Sequence, residues 1–141
     1  MKTIHHVCEI GATRDLVWGA LTRQDGLAGW WSRVVSAPAP KVGAVIRFTF
    51  RGDFNPAMEI TAVTPEAELV WKCVAGHENW ADSTFRFQLE PLPENRTRLR
   101  FWQYYAVELA DDYYGTYNFN WGYYLESLVK FCETGTGVPF E

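Results

Sequence analysis

One long segment near the C-terminus, residues 114–135, constrains the fold more than any other part of the chain. It is the only long stretch with helical spacing, because aromatic and apolar residues recur along it at three- and four-residue steps. This stripe consists of Tyr117, Trp121, Tyr124, Leu125, Leu128 and Cys132. Asp111 and Asp112 precede it, where carboxylates favour a helix start, and Gly135 is a stop signal. A helix of about twenty residues is roughly 30 Å long and needs a broad apolar surface to lie on.

The chain before this helix supplies such a surface as a series of strands. Alternating apolar and polar residues predict seven strands, separated by turns rich in Gly, Pro, Asn and Asp. Their predicted bounds are 3–10, 34–37, 44–51, 58–62, 69–74, 83–90 and 98–103. Two short helices are predicted between the first and second strands. One covers 14–21 after a Thr13 N-cap, and the other runs from Asp25, its candidate N-cap, through Trp31.

Strands that follow one another through short turns favour an antiparallel sheet with one face in water. Arginines and lysines mark that wet face, and the apolar face must be covered by the helices. The sequence therefore predicts an α+β fold of two layers. The length of 141 residues suits one domain, and no internal repeat or composition shift divides it, so we expect a single domain over 1–141.

Composition excludes several classes of partner. The formal net charge is −4 and no basic block exists, so no nucleic-acid partner is expected. No apolar run approaches the roughly 18 residues of a membrane span, and the N-terminus lacks a signal-peptide pattern, so we expect a soluble, cytoplasmic protein. Cys8, Cys73 and Cys132 are widely separated, which favours small buried side chains over a disulfide framework or zinc ribbon.

The chain is rich in aromatic residues, with seven Trp, seven Tyr and nine Phe, and these rings predict a cavity. A strongly twisted sheet cannot follow a straight helix along its full length, so we expect a gap near Tyr117 and Trp121. The predicted ligand-binding residues are Trp30, Phe48, Phe50, Met58, Trp71, Phe85, Phe87, Phe101, Gln103, Tyr117, Trp121 and Tyr124. Gln103 and the two tyrosine hydroxyls are the candidate polar anchors. The alternative is a filled core, in which the rings interdigitate and leave no usable space.

The sequence contains no recognised catalytic, nucleotide-binding or metal-binding motif. His5 and His6 are neighbours on one strand and point to opposite faces, so they cannot chelate a metal together. His77 lies in a polar segment near Glu78 and Asp82. Either these side chains form an acid–base pair at a pocket mouth, or the segment is an ordinary exposed loop. No catalytic residue, metal ligand or cofactor is assigned, and a binding module is favoured over an enzyme.

Three stretches carry a resemblance to a known family: residues 10–31 with a Val-Trp and a Trp pair, residues 43–50 followed by 69–71, and residues 120–140. Together they resemble the START-related, birch-pollen-allergen superfamily called SRPBCC. Within it, the chain is most similar to proteins like the activator of the heat-shock-protein-90 ATPase. The resemblance covers essentially the whole chain. It implies a helix-grip fold, in which a curved antiparallel sheet wraps around a long C-terminal helix and leaves a hydrophobic pocket.

The resemblance implies several activities, because superfamily members bind lipids, sterols or polyketides and some are cyclases, hydroxylase subunits or co-chaperones. Our first expectation is a cytoplasmic carrier or sensor that binds a small apolar or aromatic molecule, such as a lipid. Two alternatives stay open: a polyketide cyclase-like or hydrolase-like enzyme, and a co-chaperone-like stimulator of a chaperone ATPase. A homodimer is compatible with each of these three roles.

Overall fold

The computed structural model describes residues 1–141 and contains seven strands and three α-helices in the order β1, α1, α2, β2 to β7, α3. The strands are β1 (Thr3–Ile10), β2 (Val34–Ser36), β3 (Val45–Thr49), β4 (Ala57–Thr64), β5 (Glu68–Ala75), β6 (Thr84–Leu92) and β7 (Arg96–Tyr104). The helices are α1 (Arg14–Thr22), α2 (Gln24–Trp30) and α3 (Asp111–Thr134). Every element expected from the sequence is present.

The ends of the helices differ slightly from the prediction. α3 begins at Asp111 rather than Tyr114, because the two aspartates form its first turn instead of preceding it. It ends at Gly135, whose φ of 87° is the left-handed conformation that glycine adopts without strain. α2 is capped by Arg23, so the expected cap residue Asp25 lies within its first turn. No helix of the chain is both long and apolar enough to cross a membrane.

The seven strands form one antiparallel sheet in the order β1-β7-β6-β5-β4-β3-β2. Sequential strands are neighbours except for β1, which pairs with β7 after the chain has passed through α1 and α2. Shifts of register between β4 and β5, at Ala57/Met58 and Ile60/Ala62, add local twist to the centre of the sheet. The sheet curls around α3, which confirms the predicted α+β helix-grip fold.

The concave face of the sheet, α2 and one face of α3 enclose a core dominated by rings. Trp31, just after α2, is its centre: four other indoles have ring centroids 5.0–6.4 Å away. The neighbouring Trp30 is fully buried and donates from Nε1 to the carbonyl of Ala20 at 2.7 Å. The Trp pair therefore ties the two short helices to the sheet and to α3.

The C-terminal tail folds back over this core. The backbone N–H of Phe140 donates to the carbonyl of Trp31 at 2.8 Å, and that of Arg33 donates to the carbonyl of Phe140 at 3.0 Å. Ser127, buried on α3, donates from Oγ to the carbonyl of Trp30 and accepts from the N–H of Val138. These bonds bring the Phe140 ring to 5.5 Å from the Phe50 ring, beside the site described below.

Two glycines give a direct test of the helix packing. Gly26→Ala is expected to lower the free energy of unfolding by about 1–3 kcal/mol, since its packing partners are backbone atoms that no rotamer change can move. The added Cβ would lie 2.5 Å from the Gly19 carbonyl oxygen and 2.7 Å from the Ala20 Cα. Gly115 lies on α3, and a Cβ added there would have no atom within 4 Å. Gly115→Ala is therefore expected to raise the free energy of unfolding by up to about 1 kcal/mol. Equilibrium urea unfolding measures both, and a Gly26→Ala protein as stable as the wild type would contradict the close α1–α2 contact.

Candidate ligand-binding cavity

A cavity of about 640 Å³ lies beside the N-terminal half of α3. The opposite walls are the turn 51–54, which follows β3, and the 3-10 turn Glu78–Trp80, which follows β5. The lining residues are Trp31, Phe50, Arg51, Phe54, His77, Trp80, Tyr117, Phe119, Asn120, Trp121, Tyr123, Tyr124 and Phe140. Ten of these thirteen side chains are aromatic, so a guest in this space meets rings on nearly every side. The volume falls within the range of small-molecule sites, about 300–1,000 Å³.

Four of the twelve predicted ligand-binding residues line this cavity: Phe50, Tyr117, Trp121 and Tyr124. The other eight lie in the interior behind it and are almost completely buried: Trp30, Phe48, Met58, Trp71, Phe85, Phe87, Phe101 and Gln103. Among them, the Phe87 ring lies 4.8 Å from the Trp71 ring and 5.1 Å from the Phe101 ring. The two packings considered from the sequence thus coexist, with interlocked rings deep in the domain and open space beside residues 117–124 of α3. A direct contact between any of the twelve and a ligand stays a prediction.

Several lining residues were missed because they lie in turns and in the tail, where alternation gives no signal. Phe54, Trp80 and Phe140 are the clearest cases. The polar segment around His77, expected as either a group at a pocket mouth or an exposed loop, borders the cavity, forms the 3-10 turn and buries Trp80 to 3% exposure. The available signal was composition: a large ring between Gly, Asp, Asn and Pro, as in residues 52–56, is costly to expose and needs a surface to cover it.

Local hydrogen bonds hold Phe54 against the cavity. Asn55 accepts from the N–H of Phe50 at 3.0 Å and donates to the carbonyl of Gly52 at 2.9 Å, which closes the turn. Gly76, with a φ of 117°, packs under it, and a Cβ there would lie 2.2 Å from the Asn55 carbonyl oxygen. The Phe54 ring meets the Trp80 ring edge-on at 4.8 Å. This wall is therefore fixed by backbone geometry as well as by packing.

The helix side of the cavity is anchored by two polar contacts. The amide of Asn79 donates to the Tyr117 hydroxyl at 3.0 Å. Deeper, Trp121 donates from Nε1 to Oε1 of Gln103 at 2.8 Å, and the Gln103 amide reaches Oγ of Ser83 at 3.4 Å. All three members of this second chain are buried. Gln103, the expected polar anchor for a ligand, is thus occupied by α3 and does not line the cavity.

The hydroxyls of Tyr117 and Tyr124 on the cavity wall remain protonated at neutral pH. Burial is the main cause that raises the pKa of Tyr117 and of Tyr124, and for Tyr124 the positive charge of Arg51 partly opposes it. Protonated phenols act as hydrogen-bond donors. The wall therefore offers donors and rings to a guest, together with the guanidinium of Arg51 and the amide of Asn120.

Only one histidine reaches the cavity. His77 accepts the backbone N–H of Asn79 at Nδ1 (3.0 Å), and its Nε2 lies 4.0 Å from the carboxylate of Asp53. Asp82, expected near His77, pairs instead with Lys72. His6 faces α3 and lies 2.9 Å from the Asn118 side-chain oxygen, outside the lining.

The three cysteines are free and none lines the cavity. Burial raises the pKa of Cys8 and Cys73 to about 11 and that of Cys132 to about 12. Since the thiolate is the nucleophilic form, these thiols are unreactive at neutral pH. No group of three or more His, Cys, Asp or Glu side chains is placed to hold a metal ion.

A curled antiparallel sheet, a long C-terminal helix and an aromatic cavity between them define a helix-grip domain. The family model "Activator of Hsp90 ATPase homolog 1-like protein" matches residues 11–133, and the chain belongs to this family. The resemblance seen in the sequence is thereby confirmed. Family membership carries the fold to this chain, and the site has to be argued from its own residues.

Several solved structures share the fold. The Aha1 of Colwellia psychrerythraea, determined as a dimer in solution, is 33% identical with a TM-score of 0.85, and the match covers 97% of this chain and 100% of that one. MLL2253 of Mesorhizobium loti is 23% identical with a TM-score of 0.79, covering 92% and 95%. DynU16, from the dynemicin biosynthetic locus, is 19% identical with a TM-score of 0.80, covering 97% of this chain and 49% of DynU16. No curated protein matches the sequence.

The buried bond between Trp121 and Gln103 can be tested by a double-mutant cycle. Gln103→Met is expected to lower the free energy of unfolding by about 1–3 kcal/mol, because the indole N–H loses its acceptor inside the protein. Trp121→Phe removes the donor, so the double variant should lose about 0.5–3 kcal/mol less than the sum of the single losses. Urea unfolding of the four proteins gives the coupling, and strictly additive losses would argue against this bond.

Proposed function

We propose that this protein binds a small apolar or aromatic molecule in the cavity beside α3 and acts as a cytoplasmic carrier or sensor. The observation that carries the proposal is a space of about 640 Å³ whose lining is aromatic at ten of thirteen positions. Rings around an open space, rather than against one another, leave apolar surface that a guest can remove from water. The Phe119 side chain, one of the lining rings, is 77% exposed and therefore in contact with water.

The wall is organised before any guest arrives, which favours binding. The turn 51–54 is closed by Asn55, and Tyr117 and Trp121 each have a hydrogen bond of their own. Side chains that are already ordered lose little conformational entropy when a ligand binds. The polar groups left over on the wall are few, as in other small-molecule sites.

An enzymatic role has weaker support from the same geometry. His77 with Asp53 is the one acid–base pair at the cavity, and Asp53 lies 93% exposed at 4.0 Å. Both His6 and Gln103, the other two groups considered for catalysis, are engaged elsewhere. A binding role needs only the cavity, whereas a catalytic one needs a second group directed at a substrate.

Binding can be measured with naphthaleneacetamide, a neutral aromatic probe, by calorimetry and by quenching of tryptophan fluorescence. Phe54→Ala is expected to weaken binding about tenfold, because it removes a ring that contacts the guest and contributes about 1.4 kcal/mol to the binding free energy. Tyr104→Ala, which truncates a half-exposed ring on the last strand outside the cavity, is the matched control and should leave the Kd unchanged. No binding to the wild type at the solubility limit, or equal weakening by both variants, would contradict a cavity site.

The chain is also proposed to form a homodimer through the exposed rings of α3. Phe119 and Tyr123 lie one helical turn apart and are 77% and 50% exposed, and the relative from Colwellia psychrerythraea is a dimer. Sedimentation equilibrium of the wild type is expected to give twice the chain mass of 16.2 kDa, and Phe119→Ser to give the single mass. A monomeric wild type would refute the dimer, and a Phe119→Ser dimer would place the interface elsewhere.

A further inference from the structure

We propose that the guest of this cavity is an amphipathic anion, with an apolar or aromatic body between the rings and a carboxylate bound by Arg51. The inference rests on the proposed binding function and adds the chemical class of the ligand. Arg51 lines the cavity at the turn 51–54 and was not among the residues expected from the sequence.

Arg51 is a cation without a hydrogen-bond or ion-pair partner in the chain. Its side chain makes no hydrogen bond and no ion pair, whereas six of the eight other arginines pair with a carboxylate. Its guanidinium carbon lies 5.3 Å from the ring centroid of Phe140, over the ring. This cation–π contact leaves the guanidinium N–H groups without a hydrogen-bond acceptor in the chain. Those donors match a carboxylate, which accepts two parallel hydrogen bonds.

The charge around Arg51 favours an anion. No Asp, Glu or Lys lines the cavity, so Arg51 is its one permanent charge, although the whole chain carries a net charge of −4. Asp53, two residues away, is directed to His77. Aromatic walls have a low dielectric constant and concentrate the field of a single charge within the cleft. The carboxylate of Asp53 is 93% exposed, so solvent screens its repulsion, and an anionic head group at Arg51 meets mainly attraction.

Two neutral groups can complete the recognition of a carboxylate. The Tyr124 hydroxyl and the Asn120 amide line the same cavity, and neither makes a hydrogen bond within the chain. Arg51 and Tyr124 line the same cavity, and the positive charge of Arg51 partly opposes the effect of burial on the pKa of Tyr124. Two donors without a partner in the chain, in a cavity lined mainly by rings, suit a molecule that is charged at one end and apolar at the other.

The test compares naphthaleneacetate with naphthaleneacetamide, which share the ring system and differ in the charge of the head group. The wild type is expected to bind the acid about tenfold more tightly than the amide. Arg51→Gln should weaken the acid about tenfold and leave the amide within about twofold, while Arg51→Lys should keep part of the preference. Arg47→Gln is the control, since Arg47 is an exposed residue of β3 without an ion pair and outside the cavity. Thermal unfolding confirms that each variant is folded.

The outcomes separate this inference from the function on which it rests. If the acid and the amide bind with the same Kd, or Arg51→Gln weakens both equally, the cavity binds apolar guests and the anionic class is overturned. If neither compound binds the wild type, the proposed function fails and the inference fails with it. A loss of acid binding in Arg47→Gln as large as in Arg51→Gln would show a general effect of charge and would also overturn it.

Discussion

The contact of Trp121 with the sheet sets the distance between α3 and the concave face, and the rest of the site depends on that distance. The indole packs 4.4 Å from the Phe101 ring and 5.0 Å from the Trp31 ring, and its N–H is satisfied by Gln103. A bulky ring held by a buried hydrogen bond is a fixed spacer, because moving it would leave a polar group unpaired. Beyond it, Leu125 and Leu128 are smaller and buried, so that half of the helix lies on the core without a gap.

Elements remote in the sequence convert this spacing into a cavity. The turn 51–54, the 3-10 turn Glu78–Trp80 and Phe140 of the tail each contribute rings to the wall opposite α3. Backbone hydrogen bonds fix all three: Asn55 bonds to Gly76, Trp80 to His77, and Phe140 to Trp31. The wall is therefore a set of well-ordered turns, which keeps the aromatic surface open instead of letting it collapse onto the core.

The chemistry of the cavity follows from what these turns bring with them. Most of the charged side chains of the sheet stand on its outer face and pair with one another, as Arg100 does with Glu90 and Arg86 with Glu68. Arg51 differs because it belongs to a turn at the rim, where its neighbours are rings and hydroxyls. Arg51 is a cation next to rings and without a carboxylate partner, and it gives this otherwise apolar cavity a preference for an anionic ligand.

Much of the fold could be predicted from the sequence, because its signals are local. The three- and four-residue spacing of Tyr117, Trp121 and Tyr124 determined a helix, and alternation in 98–103 and its neighbours determined the strands and their inward faces. The half of the helix that borders the cavity also followed, since the rings of the stripe precede its aliphatic residues.

The membership of the cavity wall was decided only by tertiary structure. Periodicity shows which side chains point inward, and it cannot show what they meet, so Phe85 and Phe87 were indistinguishable from Phe50 as candidate lining. Gln103 met Ser83 because β6 and β7 pair in one register, and Trp121 reached it from another layer. Phe54 lines the cavity because of the path of the turn 51–54, and Phe140 because of the path of the C-terminal tail. Both paths depend on contacts across the whole chain. The sequence by itself determined the elements and their apolar faces, and the long-range packing of those faces decided where space remained.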